Sequence, residues 1–130
     1  MAGQLYIRRI VLAGLLSLGW SVPQAASADV ILVMGEETGC FWCARWNRDI
    51  APIYPKTPEG QAAPLRRIDI HDPIPEDLTF KTPLRFTPTF VLMQDGVELT
   101  RLEGYPGEDF FWGLLQRMLN EADISFKTAG

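Results

Sequence analysis

The sequence predicts an α/β domain whose central mixed sheet joins a parallel pair of strands to an antiparallel hairpin, with helices on both faces. Three observations lead there. Strand-like, helical and again strand-like segments follow one another between Val30 and Ile70, the order that makes two strands parallel neighbours. Asp95-Gly96 stands between two further strand-like runs, where such a pair favours a tight hairpin turn. An amphipathic stretch then begins at Glu108 and closes the layer.

Taken in order, Val30-Ile31-Leu32-Val33-Met34 is a continuous apolar run bounded by Gly35, the pattern of a buried strand. Glu36 to Gly39 form the turn out of it, with Thr38 or Gly39 as candidate cap of the next helix. In that helix Cys43, Trp46 and Ile50 share one buried stripe, and Pro52 ends it. Pro55, Pro58 and Gly60 mark a loop or a broken continuation. Leu65 to Ile70 forms the second strand. His71 to Phe86 holds Pro73, Pro75 and Pro83 and predicts an irregular connection with one short helix. Thr89 to Met93 is a strong apolar strand, and Val97 to Leu102 alternates as its half-exposed partner. Glu108 and Asp109 suit the positive end of the last helix, whose apolar face is Phe111, Leu114, Leu115, Met118 and Ala122.

The first 28 residues read as an export signal. Arg8 and Arg9 precede an apolar stretch of 11 residues, Ile10 to Trp20, and Ala26-Ser27-Ala28 offers a cleavage site after Ala28. A membrane anchor would need about 17–25 apolar residues. Residues 29–130 then make one domain. The leader takes two of the twelve basic residues and none of the sixteen acidic ones, leaving ten against sixteen and a net charge of −6. An acidic surface without basic patches argues against nucleic-acid binding.

The functional signal is Cys40-Phe41-Trp42-Cys43, which contains both cysteines of the chain. Thiols at i and i+3 sit on one helical turn, within disulfide reach. So small a ring restrains the unfolded chain by only about 2 kcal/mol, against ~4–5 for a bridge across a whole domain. As a staple it is poor, so reversible chemistry is the better reading. Two cysteines and one histidine, His71, cannot complete a four-ligand zinc site, and Ala44 stands where haem attachment needs histidine, so neither cofactor nor metal is expected.

The order of elements, with Cys-x-x-Cys opening the first helix and Thr87-Pro88-Thr89 opening the third strand, resembles the thioredoxin superfamily across nearly all of Val30 to Ala122. Among its members the chain is most similar to small periplasmic thioredoxin-like proteins of the SoxS/SoxW type, through Cys-Phe-Trp-Cys-Ala-Arg-Trp, Ala-Pro-Ile-Tyr-Pro-Lys and Arg101-Leu102-Glu103-Gly104-Tyr105. The resemblance implies a thioredoxin-like fold and a cis Pro88 that sets the Thr87 backbone beside the sulfurs to pair with an extended substrate. Gly104 matches the small residue near the family's site. Three departures stand out. Met34 replaces a buried aspartate six residues before the first cysteine, Gly39 replaces an aromatic just before the motif, and the helix-ending proline lies four residues later.

A helix N-terminus favours negative charge, and lowering a thiol pKa from about 8.5 to about 7 takes roughly 2 kcal/mol. Cys40 is therefore the expected nucleophile and Cys43 the resolving thiol. Phe41 and Trp42 are expected to form an apolar docking platform, Trp42 alternatively packing on the hairpin. Arg45 reads as a solvated helix-face residue, Glu36 and Glu37 as exposed turn residues or a proton relay, and His71 as solvated. The function expected is an exported, monomeric thiol–disulfide oxidoreductase. It would reduce a disulfide of a periplasmic partner protein with electrons from a membrane donor. Its rivals are a disulfide-forming oxidant, a redox-silent interaction domain, and a Cu(I)-delivery module, which no Met or His cluster apart from Met93 supports.

Overall fold

The structure, a computed structural model, describes residues 27–127; the predicted leader falls outside the described residues up to position 26. Four strands, β1 (Val30–Glu36), β2 (Leu65–Asp69), β3 (Thr89–Gln94) and β4 (Val97–Glu103), form one sheet in the order β2-β1-β3-β4. β1 and β2 run parallel, with Leu32 opposite Leu65 and Met34 opposite Arg67. The β1/β3 and β3/β4 pairs are antiparallel, so the expected parallel pair plus hairpin is present.

Three α-helices accompany the sheet: α1 (Phe41–Asp49), α2 (Pro58–Ala62) and α3 (Glu108–Glu121). Helix α1 gives out before Pro52, and its C-terminal cap Ile50 returns its N–H to the Trp46 carbonyl. The stretch marked by Pro55, Pro58 and Gly60 is a broken continuation: a 3-10 turn at Tyr54–Lys56, then α2. Thr57 starts α2, its hydroxyl oxygen accepting the Gly60 N–H at 3.0 Å.

Alternation along the strands splits the core in two. Leu32, Met34, Phe90 and Leu92 face Cys43, Trp46 and Ile50 of the α1 region and Phe111, Leu115, Met118 and Leu119 of α3. Trp46, Phe90 and Phe111 pack ring to ring, with centroids 5.0–5.8 Å apart. Such pairs add about 0.5–1.5 kcal/mol each beyond burial. The α3 face differs slightly from expectation: Leu119 is buried, while Leu114 and Ala122 are half-buried.

The opposite face carries Val33, Val91 and Met93, and no helix covers it among the described residues. Leu78, Phe80 and Leu84 of the β2–β3 connection pack there instead. Helices therefore flank one face, not both, and the short helix expected within His71 to Phe86 is absent. The prolines remove the donors a helix needs, and the strap takes its hydrogen bonds from β4. Thr79 donates to the Gly96 carbonyl (2.7 Å), and Glu98 donates its N–H to Thr79 (3.1 Å). The hairpin turn is as predicted, with Asp95 at φ 51° and Gly96 at φ 78°. A Cβ on Gly96 would come within 2.2 Å of the Asp77 carbonyl oxygen, so glycine there serves turn and strap alike.

Candidate active site

Helix α1 begins at the first cysteine. Cys40 is its N-terminal cap, with extended backbone (φ −72°, ψ 109°) and a sulfur that accepts the Cys43 N–H at 3.1 Å. Neither Thr38 nor Gly39, the expected caps, takes that role. Gly39 has φ +80°, a left-handed conformation in which an aromatic side chain is strained; this accounts locally for glycine before the motif. The turn closes with the Cys40 N–H on the Glu37 carbonyl at 3.4 Å.

The two sulfurs are joined, with Cα atoms 5.2 Å apart. Cys40 is half-buried, whereas Cys43, one turn further in, is buried against the aromatic core. The pair thus has an outer sulfur at the positive end of a helix and an inner one screened from solvent.

Phe41 and Trp42, 68 % and 47 % exposed, stand on the open side of the pair with rings edge to face, 5.2 Å apart. Trp42 also borders a shallow groove of about 340 Å³ with Leu102, Gly104, Tyr105, Pro106 and Leu114. It is therefore partly exposed and partly packed towards the β4–α3 turn. Arg45 lies 5.7 Å above the Trp42 ring and 3.7 Å from Asp49, so it is engaged rather than simply solvated. Tyr105 donates its hydroxyl to Asp49 (3.2 Å); burial, then the Asp49 charge, push its pKa up to about 12.

The Thr87–Pro88 peptide bond is cis, and the Pro88 carbonyl accepts the Gly104 N–H at 2.7 Å. Neither the N–H nor the C=O of Thr87 has a hydrogen-bond partner among the described residues. Its hydroxyl does: it donates to Glu37 Oε1 at 2.6 Å, and the other oxygen of that carboxylate meets His71 Nε2 at 2.6 Å. The Thr87 hydrogen bond, then that of His71, holds the Glu37 carboxyl below its usual range. The bond to Glu37 foremost, with the charges of Glu37, Asp69 and Asp72, raises the His71 pKa.

The sequence suggested Glu36 and Glu37 only as turn residues or a relay; both are half-buried and partnered. Glu36 pairs with Arg67 at 2.9 Å, and that guanidinium also reaches Asn47 and lies 3.6 Å from the Met34 sulfur. His71, expected to be merely solvated, is exposed but bound to Glu37. Nothing in the spacing of Glu37, His71 and Thr87 announces their meeting; the sheet brings the β1–α1 loop against both ends of the β2–β3 connection. Met93 sits in the core on the face opposite α1, away from the thiols.

No protein-family model matches the sequence, and no curated protein matches it. Among solved structures the chain is similar to the periplasmic thioredoxin SoxS of Paracoccus pantotrophus in its reduced form. Sequence identity is 55 %, the match covers 72 % of this chain and 98 % of that one, and the TM-score is 0.70.

Proposed function

The chain belongs to the thioredoxin family and is a thiol–disulfide oxidoreductase; from that premise we propose that it is exported to the periplasm and there reduces a disulfide of a partner protein. The observation that carries this reading is the asymmetry of the pair: Cys40 half-exposed at a helix N-terminus, Cys43 buried one turn behind it. The leader-like residues 1–28 and the periplasmic location of the similar protein support export.

In the reaction, the Cys40 thiolate attacks one sulfur of the partner disulfide. A bond forms to that sulfur, and the partner's other sulfur leaves as a thiolate that takes a proton. Cys43, deprotonated, then attacks the Cys40 sulfur and releases the second partner thiol. The partner gains two electrons and two protons, and the Cys40–Cys43 disulfide carries the oxidation away. A membrane donor of two electrons resets the pair. The redox-active disulfide is the whole of the prosthetic chemistry, and no other cofactor is invoked.

Helix α1 stabilises the attacking anion through its unpaired N–H groups. Thr87, whose backbone N–H and C=O have no partner among the described residues, offers an extended partner segment one donor and one acceptor, and Phe41 and Trp42 supply the apolar contact. The Met34 position, which resemblance marks for a proton acceptor, is apolar and fully buried. The Cys43 proton therefore leaves by another route.

The test is the full chain carrying Cys43→Ser. Attack by Cys40 then stops at the mixed disulfide, and a partner protein is recovered covalently bound and released by dithiothreitol. Absence of any adduct with the folded variant would refute the reading. A potential near about −270 mV marks a reductant; one near about −120 mV would reverse the direction proposed.

A further inference from the structure

Glu37, in the β1–α1 loop, binds both ends of the β2–β3 connection. It stands three residues before Cys40, its backbone carbonyl closes the Cys40 turn, and its two carboxylate oxygens bind Thr87 on one side and His71 on the other. Two connections meet at one carboxylate: the β1–α1 loop that carries it, and the β2–β3 connection, which reaches it near its start at His71 and near its end at Thr87. We propose that Glu37 is a positioning residue. It fixes the Thr87 backbone at the right distance from Cys40 for an extended protein substrate, and His71 holds its carboxylate in the bridging orientation.

The proposal rests on the reductase reading above and adds to it a specificity device. A hydrogen bond from the Thr87 hydroxyl to a carboxylate is charge-assisted and directional. It pins the residue whose own backbone donor and acceptor are left open. A substrate that lies along Thr87 senses this brace; a small disulfide that reaches only the Cys40 sulfur does not. Substrate class is thus discriminated by a residue that touches neither sulfur.

The brace also depends on pH. The groups around His71 are Glu37 across the loop and Asp69 and Asp72 on its own segment, all carboxylates; Glu36, beside Glu37, is committed to Arg67. The imidazolium–carboxylate pair persists below the raised His71 pKa and weakens as pH climbs through it. At the acid end the brace is lost as Glu37 protonates, which its hydrogen bonds delay to lower pH. The optimum for protein substrates lies between these limits.

The test compares insulin, a protein disulfide, with 5,5′-dithiobis(2-nitrobenzoate), a small one, on the full chain. Glu37→Ala and Thr87→Val each raise the insulin KM about tenfold, the size of one charge-assisted hydrogen bond, and the double variant is no worse than either. Rates of Glu37→Ala with the small disulfide change less than twofold. Glu37→Gln, which keeps an acceptor for Thr87 but not the charge facing His71, recovers part of the loss. In the wild type the insulin-to-small-disulfide ratio of kcat/KM falls as pH rises through the His71 titration, and His71→Ala flattens that fall. An unchanged insulin KM in Glu37→Ala, with both substrates still turned over, overturns the proposal and leaves the reductase reading intact. A wild type that reduces neither substrate overturns both.

Discussion

Glu98 of β4 offers a quantitative check on how the strap over the second sheet face is held. Its side chain is almost wholly buried. One oxygen accepts Arg101 Nε at 2.7 Å, and the other accepts Arg101 Nη2 and the Lys81 N–H, each at 2.7 Å. Arg101 continues to the Thr82 carbonyl at 2.8 Å, so the pair staples strap to sheet. Replacing Glu98 by Ala leaves Arg101, whose side chain is only 14 % exposed, without its main partner and the Lys81 N–H without an acceptor. Breaking one side of a buried pair costs about 3–5 kcal/mol. Arg101 keeps Thr82 and, 3.8 Å away, Glu103, which places the expected loss near the lower end, about 3 kcal/mol. For a domain of this size that lowers the melting temperature by roughly 12–24 °C. Burial raises the Glu98 pKa, but Arg101 and Lys81 outweigh it and the net shift is downward. A carboxyl depressed in the folded state adds stability that is complete above its unfolded pKa and fades as pH falls through its folded one. Wild-type stability therefore drops on acidification below the ordinary glutamate range, and Glu98→Gln loses that part of the dependence. Urea titrations followed by tryptophan fluorescence at several pH values measure both effects. A loss under about 1 kcal/mol for Glu98→Ala at neutral pH would refute the assignment, since that is the size expected of an exposed pair.

Three further outcomes follow from particular contacts. Trp42→Ala raises the KM for insulin several-fold while stability changes by less than about 1 kcal/mol, because the ring is half open and its stack with Arg45 is a surface contact; a loss of stability without a KM change would make Trp42 a packing residue. Gly96→Ala destabilises by more than Gly39→Ala in urea unfolding. Both have positive φ, which costs an alanine roughly 1–2 kcal/mol, but only Gly96 has a carbonyl oxygen 2.2 Å from the added Cβ. Equal losses would show that backbone conformation, not the strap, decides. Met34→Asp buries a carboxyl facing Arg67, 3.6 Å from the present sulfur, and costs stability even with that partner, a loss read in the same titrations. An unchanged unfolding midpoint would show that the Arg67 guanidinium fully compensates it.

The strands, α1 and α3 were legible because each carries its own periodic signal: Val30 to Met34 and Thr89 to Met93 are unbroken apolar runs, and α3 repeats its apolar residues at helical spacing. The cysteine pair was legible for a similar reason, being local. What was not legible depends on residues distant in sequence. Leu78, Phe80 and Leu84 look like scattered apolar residues in a proline-rich connection until the bare face of the sheet shows where they go. Glu37, His71 and Thr87 span 50 residues, and each alone resembles an ordinary solvated side chain. The helix start was misplaced by one or two positions because a cysteine sulfur is not among the usual capping groups.

That last detail reaches beyond the helix boundary. The sulfur proposed as the nucleophile is also the acceptor that begins α1, so that chemistry and the scaffold would share one atom. Knocking out the site with Cys40→Ala removes a first-turn hydrogen bond as well as the proposed nucleophile, whereas the Cys40→Ser hydroxyl still accepts the Cys43 amide. Alkylating reagents likewise alter the first turn when they block the thiol. A serine control is thus the fair comparison for any phenotype attributed to lost electron transfer, and a gap between the two variants would measure what the sulfur contributes as architecture.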